Sequence, residues 1–145
     1  MTTLSNERAG VANLHLGVRK KIARLIAAAR EREIDGVPVS ADPVARQQLA
    51  RVYVYGELQK ALADACIAGE LNGRPPGAES SITKQCWSDI EHMIGETSAS
   101  VLGALAHRGK WGDNRLFSRA TSIAGGTTQI NKNIIARRVL GLPKA

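Results

Sequence analysis

Residues 123 to 143 read IAGGTTQINKNIIARRVLGLP, with two glycines and two threonines set directly before an apolar run that carries Lys132, Arg137 and Arg138. One reading is architectural. Gly125 and Gly126 make a turn, a threonine caps a helix over about Thr128 to Leu140, and Gly141 with Pro143 supplies a left-handed cap and then a residue that cannot continue the helix. The other reading is chemical. Glycines let the backbone approach a ligand, and unbonded N–H groups at a helix N-terminus, together with threonine hydroxyls, receive phosphate or ribose oxygens. The two readings account for the same letters and do not exclude each other.

Upstream the chain is a succession of helical patterns. From about Ser5 to Glu33, the residues Leu14, Val18, Ile22, Leu25 and Ala29 recur at three- and four-residue steps, while Arg19, Lys20 and Arg24 fall elsewhere on the wheel. Ser5 suits the N-cap, and a carboxylate at Glu7 suits the positive end of the helix dipole. Asp35 to Pro43 breaks the pattern with a glycine and two prolines, a loop in which Asp42-Pro43 opens the next helix as cap and first helical residue. That helix runs to about Leu71 on a stripe of Leu49, Val52, Tyr53, Leu62, Ala65, Cys66 and Gly69, and Asn72-Gly73-Arg74-Pro75-Pro76-Gly77 ends it. A third helix is expected from about Ala78 to Ala106, with Ile82, Cys86, Ile90, Met93, Ile94, Thr97, Val101 and Leu105 as its stripe. His107 to Arg115 is polar and glycine-bearing and reads as a loop, followed by a short helical turn over Leu116 to Ser122. The expected fold is all-α: an antiparallel up-down four-helix bundle, with residues 1–145 forming one domain.

Composition points the same way. A chain of 145 residues is long enough for one core, and its apolar content comes mostly from Ala, Leu, Ile and Val, with two Trp, two Tyr and one Phe, which favours helices packed on helices. A net charge of +7, with clusters at Arg19-Lys20-Lys21-Arg24 and Arg137-Arg138, suits an anionic partner. So few aromatics leave little for base stacking, and no nucleic-acid partner is expected. Cys66 and Cys86 are isolated and read as reduced thiols, while His15, His92 and His107 build no ligand pattern, so no metal is expected. The opening MTTLSNER lacks the cationic and apolar blocks of a secretory signal, and no apolar run approaches a membrane span; the expectation is a cytoplasmic chain.

Gly125-Gly126-Thr127-Thr128-Gln129-Ile130, followed by Asn133-Ile134-Ile135-Ala136-Arg137-Arg138-Val139-Leu140-Gly141-Leu142-Pro143, resembles the C-terminal signature of flavin-dependent acyl-CoA dehydrogenases. The similarity extends upstream. Glu7-Arg8 near the start of a long first helix, Arg32-Glu33-Ile34-Asp35-Gly36 where the family often has R-x-x-F-G, and Asp42-Pro43 to Leu49-Ala50 opening the second helix fit that family's C-terminal helical domain, from about Leu4 to Pro143. Complete members add an N-terminal helical domain and a central β-domain. The resemblance therefore implies one part of an FAD-dependent enzyme that carries out α,β-dehydrogenation of an acyl-CoA thioester. Either a partner chain completes it in a homo- or hetero-oligomer, or the chain is a shortened remnant or an excised fragment; electron-transfer flavoprotein is the family's electron acceptor.

The resemblance also implies roles for particular residues. Many relatives place the proton-abstracting glutamate directly before the Gly-Thr of the closing motif, where this chain has Gly125. A second subgroup, similar to isovaleryl-CoA dehydrogenase, carries its base on the first helix in a Glu-Arg pair; Glu7 is then the catalytic candidate and Arg8 a substrate-binding one. Gly126, Thr127, Thr128 and Gln129 match the stretch that holds the adenosine-diphosphate part of FAD, and Arg32 matches an arginine that reaches FAD from the neighbouring subunit. Ser100-Val101-Leu102-Gly103-Ala104 only partly follows the family's Q-x-L-G-G, and Asp35 would repel a nearby pyrophosphate unless it points away. These departures, with the missing domains, keep an alternative open: a non-catalytic helical interaction module that retains the fold and has lost FAD.

Overall fold

The structure is a computed structural model that describes residues 13–74 and 77–144. The chain is all-α, with one minor hairpin. Helix α1 spans Leu14–Glu31, and a two-residue hairpin follows, β1 (Glu33–Ile34) against β2 (Val37–Pro38), joined to a 3-10 turn at Val39–Ala41. Helix α2 is Pro43–Leu71, α3 Ser80–Leu102, α4 Gly109–Thr121 and α5 Thr128–Ile134, the last prolonged by a π turn over Ile135–Val139. Cross-helix contacts fix the directions. Ile22 meets Gly56 and Arg19 meets Glu57, so α2 returns along α1. Lys21 meets Glu91 and Arg32 meets Val101, so α3 runs with α1, and Ser88 meets Thr121 while Gly95 meets Ser118 and Arg115, so α4 returns again.

Helix α3 is the axis of the domain. It is buried on nearly every side, from Ser80 to Leu102, because α1, α2, α4 and α5 all pack on it. One apolar cluster joins Leu25, Ala29, Val39, Ala45, Leu49, Val101, Leu102 and Ala106. A second joins Val18, Ile22, Val52, Trp87, Ile90 and Ile94. The α1 stripe read from the sequence is the buried one, with Val18, Leu25 and Ala29 fully enclosed. The part of the expected first helix before residue 13 lies outside the described residues.

The second helix has the expected bounds, and Asp42 caps it: its Oδ1 accepts from the Ala45 N–H at 2.8 Å, with Pro43 at the first helical position. Its inward stripe keeps Leu49 and Val52 of the expected one and departs from it after them. Ala45, Leu49, Val52, Gly56, Gln59 and Ala63 face the core, whereas Tyr53 is 52% exposed and Ala65 is exposed. Glycine and glutamine at two core positions hid the true repeat, and Gly56 is there because a Cβ would stand 2.5 Å from Ile22 Cδ1.

Three further expectations are corrected. The segment His107 to Arg115, read as a loop, contributes most of α4, so five α-helices occur among the described residues where four were expected. The buried positions of α4 are Ser118 and Thr121, so no apolar stripe announced it. Those hydroxyls bond back to the carbonyls of Arg115 and Ser118, the usual way a helix interior satisfies buried Ser and Thr. The third helix stops at Leu102, where Gly103 turns to φ +56, and Leu105 is exposed. The loop after α1 holds the hairpin, whose turn residues Asp35 and Gly36 both have positive φ.

One ion pair crosses this core. Lys21 Nζ lies 2.8 and 2.7 Å from the two carboxylate oxygens of Glu91, with side-chain exposures of 18% and 3%, and stands 5.7 Å from the Phe117 ring centroid. It ties α1, α3 and α4 at one point. Lys21→Met leaves a buried carboxylate without its cation and is expected to destabilise the domain by about 3 kcal/mol, read by urea unfolding. Adding Glu91→Leu in the same chain should recover most of that loss, because an apolar pair replaces a stranded charge.

Candidate functional site

The loop between α4 and α5 is built as a rigid approach to a helix start. Ser88 on α3 donates to the Thr121 carbonyl at 2.6 Å, which pins the end of α4. The chain then turns through Gly125 at φ +68 and Gly126 at φ +96, a left-handed pair that side chains resist. A Cβ on Gly125 would meet only Lys84 Cγ and Cε, at 3.7 and 3.8 Å, so conformation and not crowding demands glycine there. Thr127 is extended and is the N-cap, its Oγ1 accepting from the Ile130 N–H at 3.3 Å. The Thr128 N–H is committed to the Ser122 carbonyl at 3.0 Å.

Asn131 was not anticipated and holds the loop from below. It is fully buried, and its Nδ2 donates to the carbonyls of Gly126 at 2.8 Å and Thr127 at 3.0 Å. A polar residue one turn after a threonine cap, on the inward side of an apolar run, was the available signal. With these carbonyls held from inside, the amides of Gly126, Thr127 and Gln129 take part in none of the bonds described. The Thr127 hydroxyl accepts from Ile130 and retains its own proton for donation.

The charge of the C-terminal segment favours an anion, with Arg119 engaged by Glu96 of α3 at 2.9 Å. After Asp113 the sequence has no carboxylate side chain, whereas Arg115, Arg119, Lys132, Arg137, Arg138 and Lys144 are cationic. The buried stem of Lys84 runs beneath Gly125. On α5 a groove of about 270 Å³ is lined by Ile130, Asn133, Ile134, Arg137 and Arg138, over the π turn. Gly141, at φ +67, ends this helix as expected, with the Leu142 N–H bonded to the Ala136 carbonyl at 2.9 Å.

Arg32 stands elsewhere. Its Nη1 donates to the Val101 carbonyl, and its guanidinium lies against Gly103, where a Cβ would be 3.1 Å from Nη2. The structure therefore brings Arg32 together with the Ser100 to Ala104 segment, at the C-terminal end of α3. The Gly125 loop rests on Lys84, seventeen residues back along α3, or about 25 Å at the α-helical rise. Within one chain Arg32 and the loop do not share a site. Asp35 is exposed at the hairpin turn, on the Arg32 side. Glu7 and Arg8 lie outside the described residues.

No group of three His, Cys, Asp or Glu side chains among the described residues is placed to hold a metal ion, and no helix among them is long and apolar enough to cross a membrane. Cys66 and Cys86 are free thiols. Burial, helped by the charge of Asp89, pushes Cys86 up to about 11, so it is a protonated packing residue at neutral pH.

The profile of the acyl-CoA dehydrogenase C-terminal domain matches residues 1–140. Acyl-CoA dehydrogenase IpdE1 of Mycobacterium tuberculosis is 30% identical over 152 residues, which cover 99% of this chain and 37% of that protein. Among solved structures, the glutaryl-CoA complex of glutaryl-coenzyme A dehydrogenase superposes with a TM-score of 0.88 at 22% identity, over 98% of this chain and 37% of that one. The FAD complex of PigA superposes with a TM-score of 0.83 at 21% identity, over 94% and 36%. The chain thus spans little more than a third of the length of these proteins.

Asn131→Ala removes two buried donors and is expected to cost about 2 kcal/mol, with faster amide hydrogen exchange concentrated in the loop and the first turn of α5. Asn131→Asp should be worse, since it turns a carboxylate oxygen toward two carbonyls. The check is exchange mass spectrometry of both variants beside the parent chain.

Proposed function

The chain belongs to the acyl-CoA dehydrogenase family, as its C-terminal helical domain, and from that premise we propose that it is the C-terminal part of an FAD-dependent acyl-CoA dehydrogenase completed by a partner chain. The family is FAD-dependent. The observation that carries the proposal is the Gly125–Asn131 loop: two left-handed glycines, a threonine cap and three amides outside the described bonds, at the start of a helix whose charged side chains are all cationic.

These residues fit the diphosphate end of the cofactor. Gly126, Thr127, Thr128 and Gln129 would hold it, the first through its bare backbone and the threonines through hydroxyl donation. Thr128 contributes by its side chain, because its amide is engaged with Ser122. FAD, when bound, supplies the hydride acceptor for the β-hydrogen of the acyl chain.

Glu7 takes the α-proton of the thioester, a task that needs a carboxylate desolvated enough for its basicity to approach the working pH. Gly125 has no group for the purpose. Arg8 binds the acyl-CoA beside it; a guanidinium against that carboxylate would lower its basicity, so substrate burial has to offset the pairing. Arg32 would serve a cofactor held by a second subunit, consistent with its position at the far end of α3. Acyl-CoA is the substrate class, and electron-transfer flavoprotein the electron acceptor.

A second reading, a helical interaction module without flavin, is favoured by one specific observation. The segment Ser100-Val101-Leu102-Gly103-Ala104, against which Arg32 packs, departs from the family's Q-x-L-G-G at its first and last positions. The visible spectrum separates the two readings. A flavin band is expected when the chain is copurified with its partner and FAD, whereas a colourless complex assigns the module. Glu7→Gln should abolish α-proton exchange of bound acyl-CoA with flavin content unchanged. Retained exchange removes Glu7 as the base.

A further inference from the structure

Helix α4 has its apolar side chains on the outside. Its buried positions are Ser118 and Thr121, whereas Leu116 is 77% exposed, Phe117 54%, and Ile123, in the turn that follows, 68%. With Ala120 these residues fall at three- and four-residue steps and form one outward ridge, where a solvated helix has charged or polar residues. Cations border the ridge. Lys21 reaches the Phe117 ring from α1, so that edge of the ridge faces α1. Arg24 stands one turn after Lys21 on the same side of α1, with Lys20 one turn before Arg24; both are exposed and take part in none of the bonds described. Lys110, two turns before Phe117 on α4, is exposed and also outside those bonds. The far border carries Arg119, held by Glu96 at 2.9 Å. Asp113 is the one carboxylate of α4, and α1 has none before Glu31.

An apolar ridge between cations has the chemistry of a peripheral lipid contact. We propose that the face formed by α1 and α4 rests on an anionic lipid bilayer. Leu116, Phe117 and Ile123 enter the boundary between headgroups and acyl chains, while Lys20, Arg24 and Lys110 meet lipid phosphates. One partner satisfies both sets of residues, because a bilayer sets anionic charge directly above apolar chains. A nucleic acid would satisfy the cations and leave Leu116 and Ile123 in water. A protein would need an apolar trough walled by carboxylates, which is a narrower requirement. The contact is a surface one, in keeping with the absence of a spanning helix among the described residues. The inference is independent of the flavin reading.

Cosedimentation of the 145-residue chain with phosphatidylcholine vesicles, with and without phosphatidylglycerol, tests it. Binding is expected on the anionic vesicles, weakening as salt is raised, and binding to the neutral ones is expected to be at least about tenfold weaker. Leu116→Gln with Ile123→Gln should weaken binding to the anionic vesicles about a hundredfold, through lost apolar burial. Lys20→Gln with Arg24→Gln should weaken it about thirtyfold. The melting temperature should change in neither variant, because all four side chains are exposed. A chain that ignores the anionic vesicles overturns the proposal. Binding indifferent to the Leu116 and Ile123 changes is charge attraction alone and overturns it as well. A protein that occupies the ridge and abolishes vesicle binding assigns the face to that protein and overturns the lipid.

Discussion

Helix α3 is buried on nearly every side, and the polar side chains by which it binds its neighbours at fixed points organise the molecule. Its sequence is not uniformly apolar: Ser81, Thr83, Lys84, Ser88, Glu91 and Ser98 are all buried. Apolar packing alone would let the surrounding helices slide along it. Polar contacts remove that freedom, because each has one geometry and a missed partner costs more than a made one returns. Glu91 sets the register of α1 through Lys21, and Ser88 sets the end of α4 through the Thr121 carbonyl. At the other end, the Val101 carbonyl and Gly103 receive Arg32 and so fix where α1 stops and the hairpin begins.

The closing loop inherits its order from this arrangement. A helix of seven residues with a π turn is too short to persist alone in water. Here its start is held from three directions: by the Ser122 carbonyl behind it, by the Thr127 cap, and by Asn131 reaching back to two loop carbonyls. The two glycines then take left-handed conformations, and the Gly126 amide takes part in none of these bonds. The turn, cap and helix that the letters GGTT suggested are present, and they leave the Thr127 hydroxyl proton and the amides of Gly126, Thr127 and Gln129 outside the described bonds. Cap and carbonyl brace consume part of the loop's polar groups, and the charged side chains of the segment that follows, Lys132, Arg137, Arg138 and Lys144, are all cationic.

What was legible in the sequence follows the same physics. Helices whose buried face is apolar were readable, such as α1, and so were termini marked by Asp42-Pro43 and Gly141-Pro143, because cap chemistry is local. Helix α4 was not readable, since its buried face is serine and threonine, and the α2 stripe was misphased because Gly56 and Gln59 occupy core positions. In both cases the deciding neighbour is distant in sequence: the Ile22 Cδ1 methyl occupies the space a side chain at residue 56 would take, and Gly95 admits Ser118 and Arg115 at close range. The loop residues of the candidate site were found from their motif. The brace beneath them and the placement of Arg32 depend on tertiary contacts that no local pattern encodes.

The separation of Arg32 from the Gly125 loop bears on what this domain can do by itself. About 25 Å of helix lies between them, and Arg32 cannot swing that far while its guanidinium bonds Val101. A ligand that needs both motifs must then be held between copies, with the loop of one chain facing the arginine of another. A guanidinium that gives one N–H to a carbonyl retains four donors, so structural anchoring of Arg32 and contact with an anion across an interface are compatible in the same side chain.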